Sequence, residues 1–277
     1  RGRGQHRASR AGGGVVRGGE TAAAAGQGQR TGQTGLAPMQ HWFVESDVPQ
    51  PRRWNQAVVL QGRQPLDETG LGQALEALVQ HHDSLRLRFV QAHGRVQAEY
   101  APPAAEQLLW TATVADFVDC QALYTDVQRS LHLERGPLLR ALLVSDGQGA
   151  QRLLLAIHHL VVDGVSWRVV LEDLQALYRS QLLPAKTHTQ GDWAARLANY
   201  AGSDSLRDEL GWWQGQLGGV RRELPCDHPQ GGNLHRHAHT LAIGLDVEQT
   251  RLLLQQAPAA YHTQVNDLLL TALARAL

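Results

Sequence analysis

The amino-acid sequence predicts an α/β fold of the two-layer sandwich type. Segments with apolar residues at helical spacing are interspersed with short apolar runs and with segments of period-two alternation. They do not follow the strict strand–helix–strand rhythm that is typical of a doubly wound parallel sheet. With 277 residues, of which 43% are hydrophobic, the chain can bury a substantial core.

The first residues have a different composition from the rest. Residues 1–34 are rich in Gly, Ala, Arg and Gln and hold almost no large apolar side chain. Such a segment cannot offset the entropy lost on ordering, so we predict a disordered lead-in over residues 1–35. Its six arginines against one acid, Glu20, leave a basic nucleic-acid-binding arm as the alternative.

The ordered part is predicted to begin near Leu36 with a short helix that has Pro38 in its first turn. The next elements are a strand over 54–60, a helix over 71–79, a hairpin over 85–100 that turns at His93-Gly94, a helix over 123–131, and two apolar strands over 137–144 and 152–157.

The second half of the chain is predicted to be mainly helical. A helix with one apolar face opens at Ser166 and ends before Pro184. It is followed by helical pieces over 193–200 and 206–217, a strand over 239–245, a helix over 246–256 whose start is a capping box of Asp246 with Gln249, and a last helix that begins at Val265.

The composition limits where in the cell the protein can act and which partners it can bind. The 26 basic residues equal the 26 acidic ones, so net charge does not indicate nucleic acid or a membrane surface as a partner. Cys120 and Cys226 are too few for a disulfide framework, and no apolar stretch approaches the ~20 residues of a membrane span. Since the N-terminus also lacks the apolar core of a secretory signal, we expect a cytoplasmic protein.

One run of residues carries most of the functional information. Residues 158–168 read His-His-Leu-Val-Val-Asp-Gly-Val-Ser-Trp-Arg and follow an apolar strand. A strand that delivers an imidazole to a loop, with a carboxylate four residues further on, is one way to present a general base.

The neighbours of His159 are predicted to have supporting roles. His158 points to the opposite side of an extended backbone, so we expect a packed, hydrogen-bonded histidine. Gly164 is expected to allow a tight turn and a close backbone approach, and Ser166 with Trp167 to start a helix and pack in the core. Ser166 lacks the Gly-x-Ser-x-Gly surroundings of a nucleophile. Asp163 orienting His159 in a triad remains an alternative.

A second cluster of histidines raises the question of a metal site. His235, His237 and His239 alternate, so on a strand their imidazoles would share one face and could bind zinc. No supporting carboxylate is evident nearby, and an exposed polar strand face is the alternative, so we predict no metal. The pair His81-His82 is interpreted as a favourable end of a helix.

The pattern His-His-x-x-x-Asp-Gly resembles the core motif of the condensation and epimerization domains of nonribosomal peptide synthetases. The extension Val165-Ser166-Trp167-Arg168 resembles the epimerization branch. Other similar segments occur in family order at 38–43 (Pro-Met-Gln-His-Trp-Phe), 54–56 (Trp-Asn-Gln), 82–89 (with Asp83 and Leu87 where the family has Glu and Thr), 183–187, 227–231 and 266–272.

The resemblance implies a chloramphenicol-acetyltransferase-like fold with two lobes and a tunnel between them. Residues 36–183 would form the N-terminal lobe, and residues 184–277 the start of a C-terminal lobe that is cut off before the later motifs of the family. Phosphopantetheine arms of carrier domains would enter the tunnel, and no other cofactor is implied. The partners would be carrier domains and neighbouring synthetase modules.

The resemblance also implies roles for residues. His159 would be the acid/base that acts on the Cα of an aminoacyl or peptidyl thioester, inverting it from L to D. Asp163 would pair with Arg86 and hold the loop in shape, and a glutamate of the C-terminal lobe, beyond Leu277, would be a second acid/base. Two alternatives stay open: a condensation domain that forms a peptide bond, and a non-catalytic fragment that only docks carrier domains.

Overall fold

The computed structural model describes residues 27–46, 48–102, 107–219, 225–232 and 234–277. The chain divides into two compact units, one that ends at Ser203 and one that spans Asp204–Leu277. The domain boundary predicted between residues 183 and 184 stays a prediction. The part of the lead-in before Gln27 lies outside the described residues.

The first unit contains the described strands and five helices. The strands are β1 (Gly32–Thr34), β2 (Asn55–Gln61), β3 (Leu87–Ala92), β4 (Arg95–Tyr100), β5 (Leu109–Val114), β6 (Leu139–Asp146) and β7 (Gln151–His158). The helices are α1 (Pro38–Glu45), α2 (Glu68–His81), α3 (Gln121–Arg129), α4 (Ser166–Tyr178) and α5 (Gln190–Ala201).

A four-stranded sheet forms the centre of this unit. Its strand order is β2-β7-β6-β5, with β5 parallel to β6 and the other neighbours antiparallel. Successive residues of β6 point to opposite faces, so Leu143 packs with helices α2 and α4 while Leu142 packs with helix α3. Both faces of β6 and β7 are therefore buried, which explains why these strands read as apolar runs. The predicted mixed α/β class is confirmed.

A smaller sheet has the order β1-β4-β3. The predicted hairpin is confirmed: β3 and β4 join at His93 and Gly94, which both have positive φ angles, of 52° and 75°. Gly32–Thr34, which we predicted to be part of the disordered lead-in, is a strand because it pairs with the open edge of β4. That part of the lead-in prediction is wrong.

Two other predictions fail at strands. Residues 239–245 form no strand in the structure, and Leu241 and Ile243 are 84% and 90% exposed. An alternating pattern becomes a strand only when a partner supplies hydrogen bonds, and no described residue pairs with this segment. Conversely, β5 was not predicted, and it is held by its parallel pairing with β6.

The second unit is helical where the structure describes it. Its helices are α6 (Asp204–Leu217), α7 (Val247–Arg251), α8 (Ala257–Tyr261) and α9 (Val265–Ala276), with a π-helical segment Leu252–Gln256 between α7 and α8. The capping box of Asp246 with Gln249 is confirmed. Within the described ranges, no helix combines the length and apolar character needed to cross a membrane.

Candidate active site at the end of strand β7

The two motif histidines lie where β7 ends, and His159 lines a cavity of about 400 Å³. The backbone N–H of His159 donates to the carbonyl of Trp54 at 2.8 Å, so the pairing of β7 with β2 continues into the start of the loop. The cavity lining includes apolar and polar side chains, among them Phe43, Trp54, Leu87, His159, Asp163 and Ser166.

His158 is fully buried and satisfied, as predicted. Its Nε2 lies 2.9 Å from the carbonyl oxygen of Pro51, and its Nδ1 accepts from the backbone N–H of Leu160 at 3.2 Å. Because the carbonyl can only accept and the N–H can only donate, the ring is neutral with its proton on Nε2. Burial lowers the pKa of His158 below its ordinary value of 6.5. This side chain is part of the core.

His159 has the opposite arrangement. Its Nδ1 lies 2.7 Å from the carbonyl oxygen of Val162, which can only accept a hydrogen bond, so Nδ1 carries a proton. Its Nε2 lies 3.2 Å from Nε2 of Gln56. The ring of Trp54 is nearly parallel to the imidazole, at an angle of 19° and a centroid distance of 6.3 Å.

Gln56 is held by the motif tryptophan. The indole N–H of Trp167 donates to Oε1 of Gln56 at 2.8 Å, and an indole can only donate. The amide oxygen of Gln56 therefore faces Trp167, and its NH₂ group faces His159. Since that NH₂ donates, Nε2 of His159 is the acceptor and bears a lone pair. The neutral imidazole thus has its proton on Nδ1 and its basic nitrogen at Nε2.

Asp163 shapes the loop and does not touch the imidazole. One carboxylate oxygen accepts from the backbone N–H of Val165, the backbone N–H of Ser166 and the hydroxyl of Ser166, at 3.1, 2.7 and 2.6 Å. The hydroxyl of Ser166 is the main cause that lowers the pKa of Asp163, followed by the Ser166 backbone N–H. The triad alternative is wrong, because the carbonyl of Val162 occupies the position of the orienting group.

Helix α4 starts as predicted. Ser166 is its first residue, and Trp167 is buried in the core cluster formed with α2 and the central sheet. Gly164 does not have the predicted role: its φ is not positive, and a Cβ built there would meet no atom within 4 Å. The carboxylate of Asp163 tightens this turn instead, so the glycine supplies neither a special backbone angle nor a close approach.

The predicted ion pair between Asp163 and Arg86 is also wrong. Arg86 is only 1% exposed and pairs with Asp83, its neighbour in the same short 3-10 turn. Its other hydrogen bonds are to the carbonyl oxygens of Arg30 and Ala101. Nζ of Lys186 approaches Asp83 from the other side at 3.1 Å. Asp83 therefore pairs with Arg86, and the Asp163 carboxylate bonds to residues at the start of helix α4.

A second cavity, of about 260 Å³, adjoins the first and shares Ser84 and Gln190 with it. It contains the group that could hold a metal among the described residues: ligand atoms of His81, His82 and Asp173 lie within 4.8 Å of one another. Burial is the main cause that lowers the pKa of His81, and the neighbouring His82 and Lys186 add to it.

The residues that line this second cavity indicate a hydrogen-bonded polar cluster and not a metal site. Nε2 of His82 already bonds to Asp173 at 2.7 Å, and the ammonium of Lys186 lies in the same cavity and would repel a cation. The zinc alternative at His235, His237 and His239 fails because residues 235–237 form a 3-10 turn instead of a strand.

Sequence reasoning missed Gln56 and the carbonyl of Val162 as partners of His159. The available signal for Gln56 was a polar residue two positions after Trp54, in a strand that pairs with the motif strand. The carbonyl left no signal, because backbone acceptors are not encoded by residue type. Together these groups can present a neutral imidazole with a defined lone pair beside a partly apolar cavity, which is what general-base chemistry requires.

Comparison with family models finds that residues 31–277 match the condensation domain family. The chain is 43% identical over 261 residues to a linear gramicidin synthase polypeptide of Brevibacillus parabrevis, and 38% identical over 259 residues to tyrocidine synthase 2 of the same organism. The alignments cover 90% and 89% of this chain, but only 5% and 7% of those synthases.

The similarity to solved structures differs between an epimerization domain and a condensation domain. The epimerization domain from the third module of tyrocidine synthetase B matches with a TM-score of 0.81 and 37% identity, over 90% of this chain and 59% of that one. The first condensation domain of the calcium-dependent antibiotic synthetase, solved with a substrate analogue, matches with a TM-score of 0.55 and 26% identity, over 67% of this chain and 48% of that one. The mixed α/β architecture is thus that of condensation and epimerization domains.

Proposed function

The chain belongs to the condensation domain family of nonribosomal peptide synthetases, and from this premise we propose that it acts in epimerization. The substrate is an aminoacyl or peptidyl thioester on the phosphopantetheine arm of a carrier domain, and the reaction inverts its Cα from L to D. The observation that carries the proposal is the higher similarity to an epimerization domain than to a condensation domain in both TM-score and identity.

His159 is the proposed base. The thioester carbonyl acidifies the α-proton; the Cα–H bond breaks, its proton passes to Nε2 of His159, and the electron pair forms the enolate of the thioester. A proton returned to the opposite face of Cα by a second acid completes the inversion. The geometry at His159 supports this role, since Nδ1 already carries a proton and Nε2 has the lone pair.

The cavity beside His159 is suited to the reacting end of such a substrate. At about 400 Å³ it falls within the usual range for small-molecule sites, and it combines Phe43, Trp54 and Leu87 with polar groups near the imidazole. Carrier domains and neighbouring synthetase modules are the partners that this proposal requires.

The test is proton exchange at Cα. The protein that contains this chain is incubated in deuterated water with a carrier domain loaded with an L-aminoacyl or peptidyl thioester, and both deuterium uptake and the D/L ratio are measured. We expect uptake in the wild type and a loss on the order of 10²–10⁴-fold for His159→Ala, the usual range for removal of a general base.

His93→Asn is the matched control. This histidine is exposed in the hairpin turn and has a positive φ that asparagine also adopts, so one imidazole is removed without strain and exchange should be unchanged. Amide formation with a second loaded carrier, in the absence of exchange, would move the function to condensation. Absence of both reactions would leave carrier docking as the function.

A further inference from the structure

We infer that Gln56 is a positioning residue for His159, and that Trp167 holds it in that role. The inference rests on the proposed function, because it concerns the base of that reaction. It starts from the chain of two hydrogen bonds that joins the indole of Trp167 to the amide of Gln56 and the amide to the imidazole, at 2.8 and 3.2 Å.

The direction of this chain is fixed by chemistry. A side-chain amide can rotate by 180° and so exchange the positions of its donor NH₂ and its acceptor oxygen. The orientation of a glutamine amide beside a histidine is therefore usually ambiguous. Here the indole N–H can only donate, so turning the amide would place its NH₂ group against another donor. Trp167 is buried in the core, so its N–H would then lose its partner away from water, at the cost that an unpaired buried donor carries.

The fixed amide selects one tautomer of His159. At one end of the ring the carbonyl of Val162 requires a proton on Nδ1; at the other end the NH₂ group of Gln56 requires a lone pair on Nε2. The two requirements agree, and together they also fix the plane of the ring. The basic nitrogen is thus specified before any substrate is bound.

The same arrangement favours turnover. The lone pair that Gln56 contacts is the one that receives the α-proton, so the hydrogen bond from Gln56 to Nε2 breaks as the proton is transferred. Once Nε2 is protonated, it and the amide NH₂ are both donors, and Trp167 prevents the amide from offering its oxygen. No acceptor at Gln56 then retains the proton, and the imidazole is free to pass it on.

The position of Gln56 in the fold makes this arrangement reproducible. It lies in β2, paired with Ile157 of β7, one residue before the motif histidines, and the ladder between these strands runs without interruption from Asn55 to Gln61. Trp167 is in the first turn of α4, which packs on the same sheet. A strand, a helix and the loop between β7 and α4 therefore each supply one member of the chain.

The test is the isosteric change Gln56→Glu, which replaces the NH₂ donor by an acceptor. In the wild type, ¹⁵N spectra of histidine-labelled protein should show His159 protonated at Nδ1 and unprotonated at Nε2. In the variant, Nε2 should be protonated as well, since Glu accepts there while Val162 still accepts at Nδ1. The kcat of exchange should fall on the order of 10²–10⁴-fold, the range that general-base catalysis contributes, with KM little changed.

Two further variants make the result specific. Trp167→Phe removes the indole N–H but keeps an aromatic ring. The amide can then turn, and we expect a mixed ¹⁵N signature and a smaller loss of kcat than Gln56→Glu causes. Gln61→Glu makes the same chemical change at the exposed far end of β2 and should alter neither the spectrum nor kcat.

The inference is overturned if Nε2 is protonated in the wild type, or if Gln56→Glu leaves the spectrum or kcat unchanged. Failure of the proposed function has a different signature: the wild type then shows no exchange at Cα. In that case the spectra still report the hydrogen bond, because they need no substrate, and kcat is measured for amide formation instead.

Discussion

The chain contains two His-His pairs, and the fold treats them in opposite ways. His81-His82 lies at the end of helix α2, where the two rings meet edge to face with centroids 5.0 Å apart. His158-His159 lies at the end of strand β7, where successive side chains point to opposite faces. The same dipeptide therefore gives a coupled polar cluster in one place and two separate imidazoles in the other.

The partners of the two pairs differ as well. Around His81-His82 they are charged side chains: Asp173 bonds to His82, and Asp83 joins Lys186 to Arg86. Around His158-His159 they are two backbone carbonyls, the backbone N–H of Leu160 and the side-chain amide of Gln56, and the two rings carry their protons on opposite nitrogens. Charged side chains hold the His81-His82 region in place. At His159, the orientation of a carbonyl and of the Gln56 amide defines which ring nitrogen can react.

The largest effect on stability is expected where the charged region is most buried. Arg86→Ala removes a guanidinium that is 1% exposed and leaves Asp83 with the ammonium of Lys186 and the backbone N–H of Arg30. Breaking a buried pair from one side costs about 3–5 kcal/mol, and Lys186 should keep the loss near the lower end. Urea unfolding followed by circular dichroism measures it. Lys186→Ala, on the same carboxylate, should cost about 1–2 kcal/mol; equal losses would contradict this account.

His158→Ala should have the next largest effect. The change opens a cavity in the core, leaves the N–H of Leu160 without its acceptor, and leaves the carbonyl of Pro51 with only the backbone N–H of Trp54. Together these should lower the free energy of unfolding by about 2–4 kcal/mol. His81→Ala is the comparison, because its half-buried ring stands in the other pair, and it should cost less than about 1 kcal/mol. A larger loss at His81 would invert the contrast between the regions.

Much of this contrast was predictable from residue types, and some of it was not. Strand alternation predicted that His158 packs inward and His159 faces the loop. The pairing of Asp163 with Arg86 was mispredicted because Asp83, three residues from Arg86, is a nearer acid, and proximity along a tight turn is decided by local geometry. The strand predicted over 239–245 shows the same limit: its pattern was correct, but a strand needs a partner that its own residues do not specify.

The pH dependence of stability should separate His158 from the carboxylates. Its pKa is lowered in the folded state, so the unfolded chain, with a pKa near 6.5, binds the proton more readily. Its contribution is present above pH 6.5 and is lost as the pH falls toward the lower folded value. The free energy of unfolding should thus rise between about pH 5.5 and 7 by up to about 1.4 kcal/mol per pH unit for each such group.

The comparison variants for this pH profile are His158→Gln and His81→Gln. His81 also has a lowered pKa, with burial as its main cause, so it contributes to the slope with the same sign. Each variant should flatten the profile in that pH window, and both together should flatten it most. The lowered pKa of Asp163 affects stability only at more acidic pH and leaves this window unchanged. A profile that stays as steep in both variants would remove histidine burial as its cause.

The smallest effect is expected at the half-buried pair of the charged region. Asp173→Asn keeps a hydrogen-bond acceptor for His82 but removes the charge, and the two side chains are 18% and 25% exposed. When His82 is protonated, a partly exposed pair of this kind contributes about 0.5–1 kcal/mol, and salt screens it. The loss measured at about 0.05 M NaCl should therefore shrink at about 0.5 M, whereas the loss caused by His158→Ala should not change. Because Asp173 does not contact the cavity beside His159, exchange at Cα should be retained in this variant. A loss of exchange would mean that the two His-His regions act as one site.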